Sequence, residues 1–256
     1  MLIIRPAQIE AFEDSNAPDF ALQMANHVRT AFPRHSALLA GQGVAEVVRH
    51  GIAQSRSSGL VSKSSARLFI DLTLLLGREF HRDPQLPWAS NVLSAGFPVG
   101  AELERAHRLF GLAIDYLDSV SGPDNELIDQ AQTRLMDEPL TIFASSGQEF
   151  AAQVLRRLQR IWPEKLRRLE DTSRMALLRD GVRKARSYGI TSESGCYLVI
   201  LSMYMLGSGF DQDPMFAWSR RILASTDNTA EKVVALERAG LAYLNAWCSG
   251  SEAHRV

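Results

Sequence analysis

Cysteine is almost absent: Cys196 and Cys248 are the two in 256 residues, and they do not form a Cys-x-x-Cys pair. A disulfide framework and a cysteine-based zinc or redox motif are thereby excluded, and both residues read as reduced thiols. Net charge is almost absent too, since 28 Lys and Arg stand against 29 Asp and Glu. The resulting −1 gives no global field that would draw the chain to nucleic acid or anionic lipid, and neither is expected as a partner. The halves differ mildly, with 11 basic against 15 acidic residues up to residue 130 and 17 against 14 beyond it. Long apolar runs are missing as well. Leu72–Leu76 and Leu198–Leu206 are the longest, far short of the roughly 20 residues that cross a bilayer. The opening Met1–Pro6 has no basic stretch followed by an apolar segment of signal-peptide length, so a cytoplasmic location is expected.

The usual signposts of chemistry are also lacking. Phosphate-loop, His-Glu-x-x-His, Gly-x-Ser-x-Gly and Gly-x-Gly-x-x-Gly patterns do not occur. The six histidines, His27, His35, His50, His81, His107 and His254, fall on what read as solvent faces or loops and show no metal-binding spacing. No catalytic residue, metal or cofactor is expected, and the chain reads as something other than an enzyme. Period-two alternation of useful length is missing too, which removes half-buried strands and leaves an all-α fold.

What the chain does contain is a second copy of itself. Shifted by 130 residues, Phe20–Leu93 aligns with Phe150–Leu223 without a gap, and 21 of the 74 pairs are identical. Beyond that, Gly111-Leu-Ala and Tyr116-Leu match Gly240-Leu-Ala and Tyr243-Leu. The expected organisation is a tandem duplication of a roughly 100-residue multi-helix unit, packed as a two-lobed bundle. Its parts are a first unit over 1–120, a connector over 121–146 with one short helix at Glu126–Met136, and a second unit over 147–256. In each copy a proline restarts the chain after a first helix, and a glycine ends the next helix at Gly59 or Gly189. A serine then caps a third, largely apolar helix over Ser65–Leu76 or Gly195–Leu206. Being apolar on nearly all sides, that helix is expected at the centre of its unit.

The strongest repeated motif is Gly77-x-x-Phe80-x-x-Asp83-Pro84-x-x-x-Trp88, which recurs as Gly207-x-x-Phe210-x-x-Asp213-Pro214-x-x-x-Trp218. It has a structural explanation: Gly ends the central helix, Phe anchors the loop, Asp caps the next turn ahead of a proline, and Trp covers the core while its N–H seeks a partner. A recognition surface built on the two tryptophans is the sharper reading, and the structural one is preferred. Two other features suggest a partner. Asp71 interrupts the apolar central helix where the other copy has Leu201, so it needs Arg67 or an interface for company, or Asp115 as the mate of a catalytic carboxylate. Arg156, Arg157, Arg160, Lys165, Arg167 and Arg168 crowd one short segment around the single Glu164, as a solvated face or as a docking surface for an acidic protein.

The opening Met-Leu-Ile-Ile-Arg-Pro-Ala-Gln-Ile-Glu-Ala-Phe-Glu, the turns Ser57-Ser-Gly-Leu and Ser187-Tyr-Gly-Ile-Thr-Ser-Glu, and the Gly-x-x-Phe-x-x-Asp-Pro-x-x-x-Trp motif give the chain a resemblance. It resembles small helical proteins encoded beside effector genes of bacterial type VI secretion systems, whose typical members look like a single such unit. The likeness covers nearly all of both units and leaves out the connector; Ala217 in place of Pro87 is a modest departure. It implies an accessory or co-chaperone protein of the producing cell and carries over no catalytic residue. The expected function is protein binding, as a co-chaperone or adaptor that binds an effector or its chaperone and aids loading. The alternatives are a cytoplasmic immunity protein that neutralises a toxin effector, and an enzyme using Asp71.

Overall fold

The computed structural model describes residues 6–39, 41–94, 101–138 and 148–252, with side chains at 19–39, 41–94, 101–138 and 149–246. Helix makes up 81% of the chain and no strand occurs among the described residues, so the fold is all-α. The first half contributes α1 (Pro6–Ala31), α2 (Pro33–Leu38), α3 (Gly43–Ser57), α4 (Lys63–Leu76), α5 (Pro87–Ser94) and α6 (Glu102–Ser121). After α7 (Glu126–Asp137) come α8 (Gln148–Ile161), α9 (Pro163–Arg167), α10 (Asp171–Ser187), α11 (Glu193–Leu206), α12 (Ala217–Leu223) and α13 (Thr229–Glu252).

Local chemistry sets the same boundaries in both halves. Pro33 and Pro163 open α2 and α9 in the first turn, where the missing N–H is not needed. Ser62 and Ser192 cap α4 and α11, accepting from Ser65 N at 3.3 Å and Gly195 N at 3.2 Å. α3 lies on α4, and α10 on α11. That close approach depends on Gly51 and Gly181: a Cβ on Gly51 would stand 2.6 Å from Ile70 Cγ1, and one on Gly181 closer still to Ile200 Cγ1. α11 is buried over most of its circumference, whereas α4 leaves Asp71 half-buried and Leu75 exposed.

The buried apolar side chains of both halves join in one cluster, to which α7 adds Ala131 and Leu135. The segment expected as a connector therefore carries a core helix, packed on α6, α8 and α13, whose bounds match the expected Glu126–Met136 within one residue. Residues 139–146 of that connector, the Cys248 side chain and His254 lie outside the described residues. One expectation is overturned. His81 is buried against the Phe69 and Phe80 rings, and His27, His35 and His50 are half-buried. Periodicity put them on solvent faces, but other elements cover those faces; His107 is exposed as expected.

A candidate binding cavity between the two halves

Gly77 and Gly207 end α4 and α11 at φ 97° and 93°, a region open to glycine, and the two helix ends meet there. A Cβ on either glycine would stand 3.0 Å from a carbonyl oxygen of the other half, Leu206 O or Leu76 O. Each chain then turns through a buried phenylalanine, Phe80 or Phe210, to Asp83 or Asp213. Each aspartate fixes its own turn with Oδ1, accepting from Gln85 N at 2.8 Å or Met215 N at 2.9 Å. Its Oδ2 crosses into the other half, where Asp83 accepts from Ser208 N at 2.7 Å and Asp213 from Arg78 N at 3.1 Å. The expected caps are present, and the crossing is an addition that the motif did not reveal.

Beside this junction lies a cavity of about 680 Å³, within the roughly 300–1,000 Å³ common for ligand sites. Residues 130 apart line it together: Phe32 with Trp162, His35 with Lys165, Leu75 with Met205, Leu76 with Leu206, and Gln85 with Met215. The cavity thus sits where the halves face each other. Asp124 and Asn125, both exposed, and Leu75, 43% exposed, are part of its wall, so it reaches solvent.

Polar groups gather at the α11 end of the cavity. Lys165 is buried with its Nζ 5.0 Å from the centre of the Trp162 ring and 5.2 Å from that of Tyr204, and it donates to Tyr204 O in the last turn of α11. A cation suits the carbonyl end of a helix. Burial nevertheless draws its pKa down to about 8, with the Asp83 carboxylate acting in the opposite sense. Gln85 Nε2 donates to the preceding carbonyl, Met203 O, at 2.8 Å and to Asp83 Oδ2 at 3.3 Å. Gln85 is 2% exposed, and its Oε1 has no hydrogen-bond partner among the described residues. The flanking rings are fixed in turn, as Trp162 Nε1 donates to Val120 O at 2.9 Å and the Tyr204 hydroxyl to Trp162 O at 2.6 Å.

At the α4 end the equivalent positions are Phe32, His35, Leu74 and Met215. Burial, and then the Arg34 charge, lower the His35 pKa. Burial pushes the Asp213 carboxyl up to about 6 against the N–H groups of Met215 and Arg78. Chemically, the cavity offers apolar and aromatic walls, a buried ammonium and an acceptor awaiting a donor.

The six basic residues read as a docking segment do not share one exposed face. Lys165 belongs to the cavity wall. Arg157 and Arg160 reach Glu138 at 3.6 and 2.7 Å, and Arg157 also lies over the Tyr197 ring. Arg167 pairs with Glu164 at 3.1 Å, Arg168 pairs with Asp115, and exposed Arg156 donates to Ala152 O. Asp71 lies away from the cavity lining, 2.7 Å from His27 Nε2 and 3.9 Å from Arg67 Nε. Burial raises its pKa, and both partners oppose the rise. Asp115, the suggested mate, keeps its own partner in Arg168. Trp88 and Trp218 are half-buried over Tyr116 and Tyr243, at 6.0 and 6.3 Å between ring centres, and neither indole N–H finds the expected partner among the described residues.

Sequence reasoning did not single out Gln85, Trp162, Tyr204 or His35. A usable signal existed in Gln85, which follows Asp-Pro directly where the other half has Met215. Among the described residues no group of three or more His, Cys, Asp and Glu is placed to hold a metal, and no helix is long and apolar enough to cross a membrane. No protein-family model, curated protein or solved structure matches the chain.

Proposed function

We propose that the chain is a protein-binding accessory factor, a co-chaperone or adaptor that holds a segment of a type VI secretion effector or of its chaperone and aids loading. The observation that carries this reading is the solvent-reaching cavity at the junction, which keeps a buried acceptor without a partner among the described residues. An unpaired buried polar group costs about 1–3 kcal/mol. A cost of that kind at the mouth of two abutting helix ends fits a site that awaits a ligand better than it fits a packed core.

In the same reading the halves are tandem duplicates of one unit, packed as two lobes about the cavity. The 21 identities, the paired serine caps, the paired glycine contacts and the reciprocal aspartates support it. Divergence between copies then gives one symmetric scaffold an asymmetric site. Work in the cytoplasm of the producing cell, without a cofactor and without nucleic acid, belongs to this proposal.

The test is reconstitution of the purified chain with a type VI secretion effector of its host and with that effector's loading adaptor, read by size-exclusion chromatography with light scattering and by a toxin assay. A complex containing effector and adaptor, with the toxin still active, supports the reading. Capture of the toxin domain alone, with its activity lost, would replace it by the immunity reading, and no complex with either overturns both. The 2.7 Å His27–Asp71 pair is the one observation that favours an enzyme. An activity abolished by Asp71→Asn in a chain that still folds would establish that second reading.

A further inference from the structure

Building on the protein-binding reading, we propose that the cavity takes an extended peptide segment bearing an apolar side chain. One backbone carbonyl of the segment accepts from the Lys165 ammonium, and one backbone N–H donates to Gln85 Oε1. The two groups stand side by side because they hold consecutive carbonyls, Tyr204 O and Met203 O, at the end of α11. An ammonium carries three N–H donors, and Tyr204 O is the one acceptor Lys165 has among the described residues. The Gln85 amide cannot turn over to help itself, since its Nε2 already serves two acceptors, Met203 O and Asp83 Oδ2. The occupant must therefore bring an acceptor and a donor within a few ångströms of each other, as a peptide backbone does.

Other chemistries fit less well. A carboxylate would satisfy Lys165 but would meet the Gln85 oxygen and the Asp83 charge, a cation would meet the ammonium, and a hydrocarbon would leave the Gln85 oxygen without a donor and the ammonium with Tyr204 O alone. The walls supply the rest of the recognition: Trp162, Met205, Leu206 and Phe216 offer apolar surface to a side chain. The α4 end, with His35 and Met215, lacks the same pair of groups, so the segment binds in one direction with its hydrogen-bonded peptide unit at α11.

The probe is a random dodecapeptide display library panned on the full chain, with the enriched peptides synthesised and titrated calorimetrically into wild type, Gln85→Met and Lys165→His. Both substitutions install the residue that the other half carries at that place, Met215 or His35, and thermal melts verify folding. Each variant is expected to bind about tenfold more weakly or worse. N-methylation of one backbone amide should weaken binding to wild type by a similar factor and leave binding to Gln85→Met unchanged. Should Lys165→His melt early, that N-methyl comparison decides alone. Absence of any enriched peptide, unchanged affinity in the variants, or N-methylation that weakens both chains equally overturns the proposal. If the reconstituted effector complex nevertheless forms in both variants, the peptide site falls while the protein-binding reading stands.

Discussion

The two ends of the cavity occupy matching positions of the two halves and differ in chemistry. At α11, Trp162, Lys165 and Tyr204 form an aromatic cage around an ammonium; at α4 the same positions hold Phe32, His35 and Leu74. A second pair of equivalent places shows the same divergence. Lys184 and the Tyr188 hydroxyl both bond Asp211, while the matching Gln54, Ser58 and His81 leave both His81 ring nitrogens without a hydrogen bond among the described residues. The residues that shape the backbone, glycines, prolines and capping aspartates, are the ones the halves share. Among the side chains that distinguish the halves, polar ones such as Lys165, Gln85 and Asp211 stand on that frame, and the proposed binding groups are drawn from them.

The largest expected contrast lies in the crossed aspartates. Asp83 accepts from Gln85 N, Gln85 Nε2, Ser208 N and Ser208 Oγ and faces Lys165, whereas Asp213 accepts from Met215 N and Arg78 N. In denaturant melts Asp83→Ala should cost about 3–5 kcal/mol and Asp213→Ala about 2–3; equal losses would break the contrast. Next comes a sameness. Gly51→Ala and Gly181→Ala each force a methyl into an isoleucine of the facing helix, for about 1–3 kcal/mol apiece. A loss in one half alone would argue against equivalent packing. Smaller again, Ser62→Ala and Ser192→Ala should each cost about 1 kcal/mol, the worth of an N-cap.

The smallest net effect is the response to acid, because two groups oppose each other. Burial, aided by the charges of Arg82 and His50, holds His81 down at about 4 although the Glu79 carboxylate lies 3.8 Å away. The unfolded chain therefore takes up this proton first, and stability is lost as pH falls from 6.5 towards 4. Asp213, held up at about 6, acts the other way: the folded state takes up its proton first, and stability is gained as pH falls from about 6 towards 3.8. In urea melts between pH 7 and 5, His81→Leu should lose less stability on acidification than wild type, because the Asp213 gain is no longer opposed by His81. An unchanged slope would show that His81 does not titrate as its burial requires.

How far the sequence could be read follows from these particulars. Pro33, Pro163, Ser62, Ser192, Gly77 and Gly207 act within a few residues of themselves, so their effects were legible. Asp83 was legible as the cap of its own turn, but its bond to Ser208 spans 125 positions and depends on how the halves meet. His27 as the partner of Asp71, 44 positions away, was hidden for the same reason. Lys165 sat in a run of basic residues that suggested a solvated face. It is buried because the Trp162 and Tyr204 rings flank its ammonium and a carbonyl at a helix end accepts from it. Most of its basic neighbours are answered by carboxylates within the chain, Glu138, Glu164 and Asp115.

The most direct test of the cavity as the binding site uses methionine methyl groups that already stand in it. Met205 and Met215, both of the second half, line it, while Met175 is exposed on α10 and does not line it. With ¹³C-methyl-labelled protein, titration of a display-selected peptide should shift the Met205 and Met215 resonances and leave Met175 in place. Saturable binding that moves Met175, or that moves none of the three, would contradict a site between the halves.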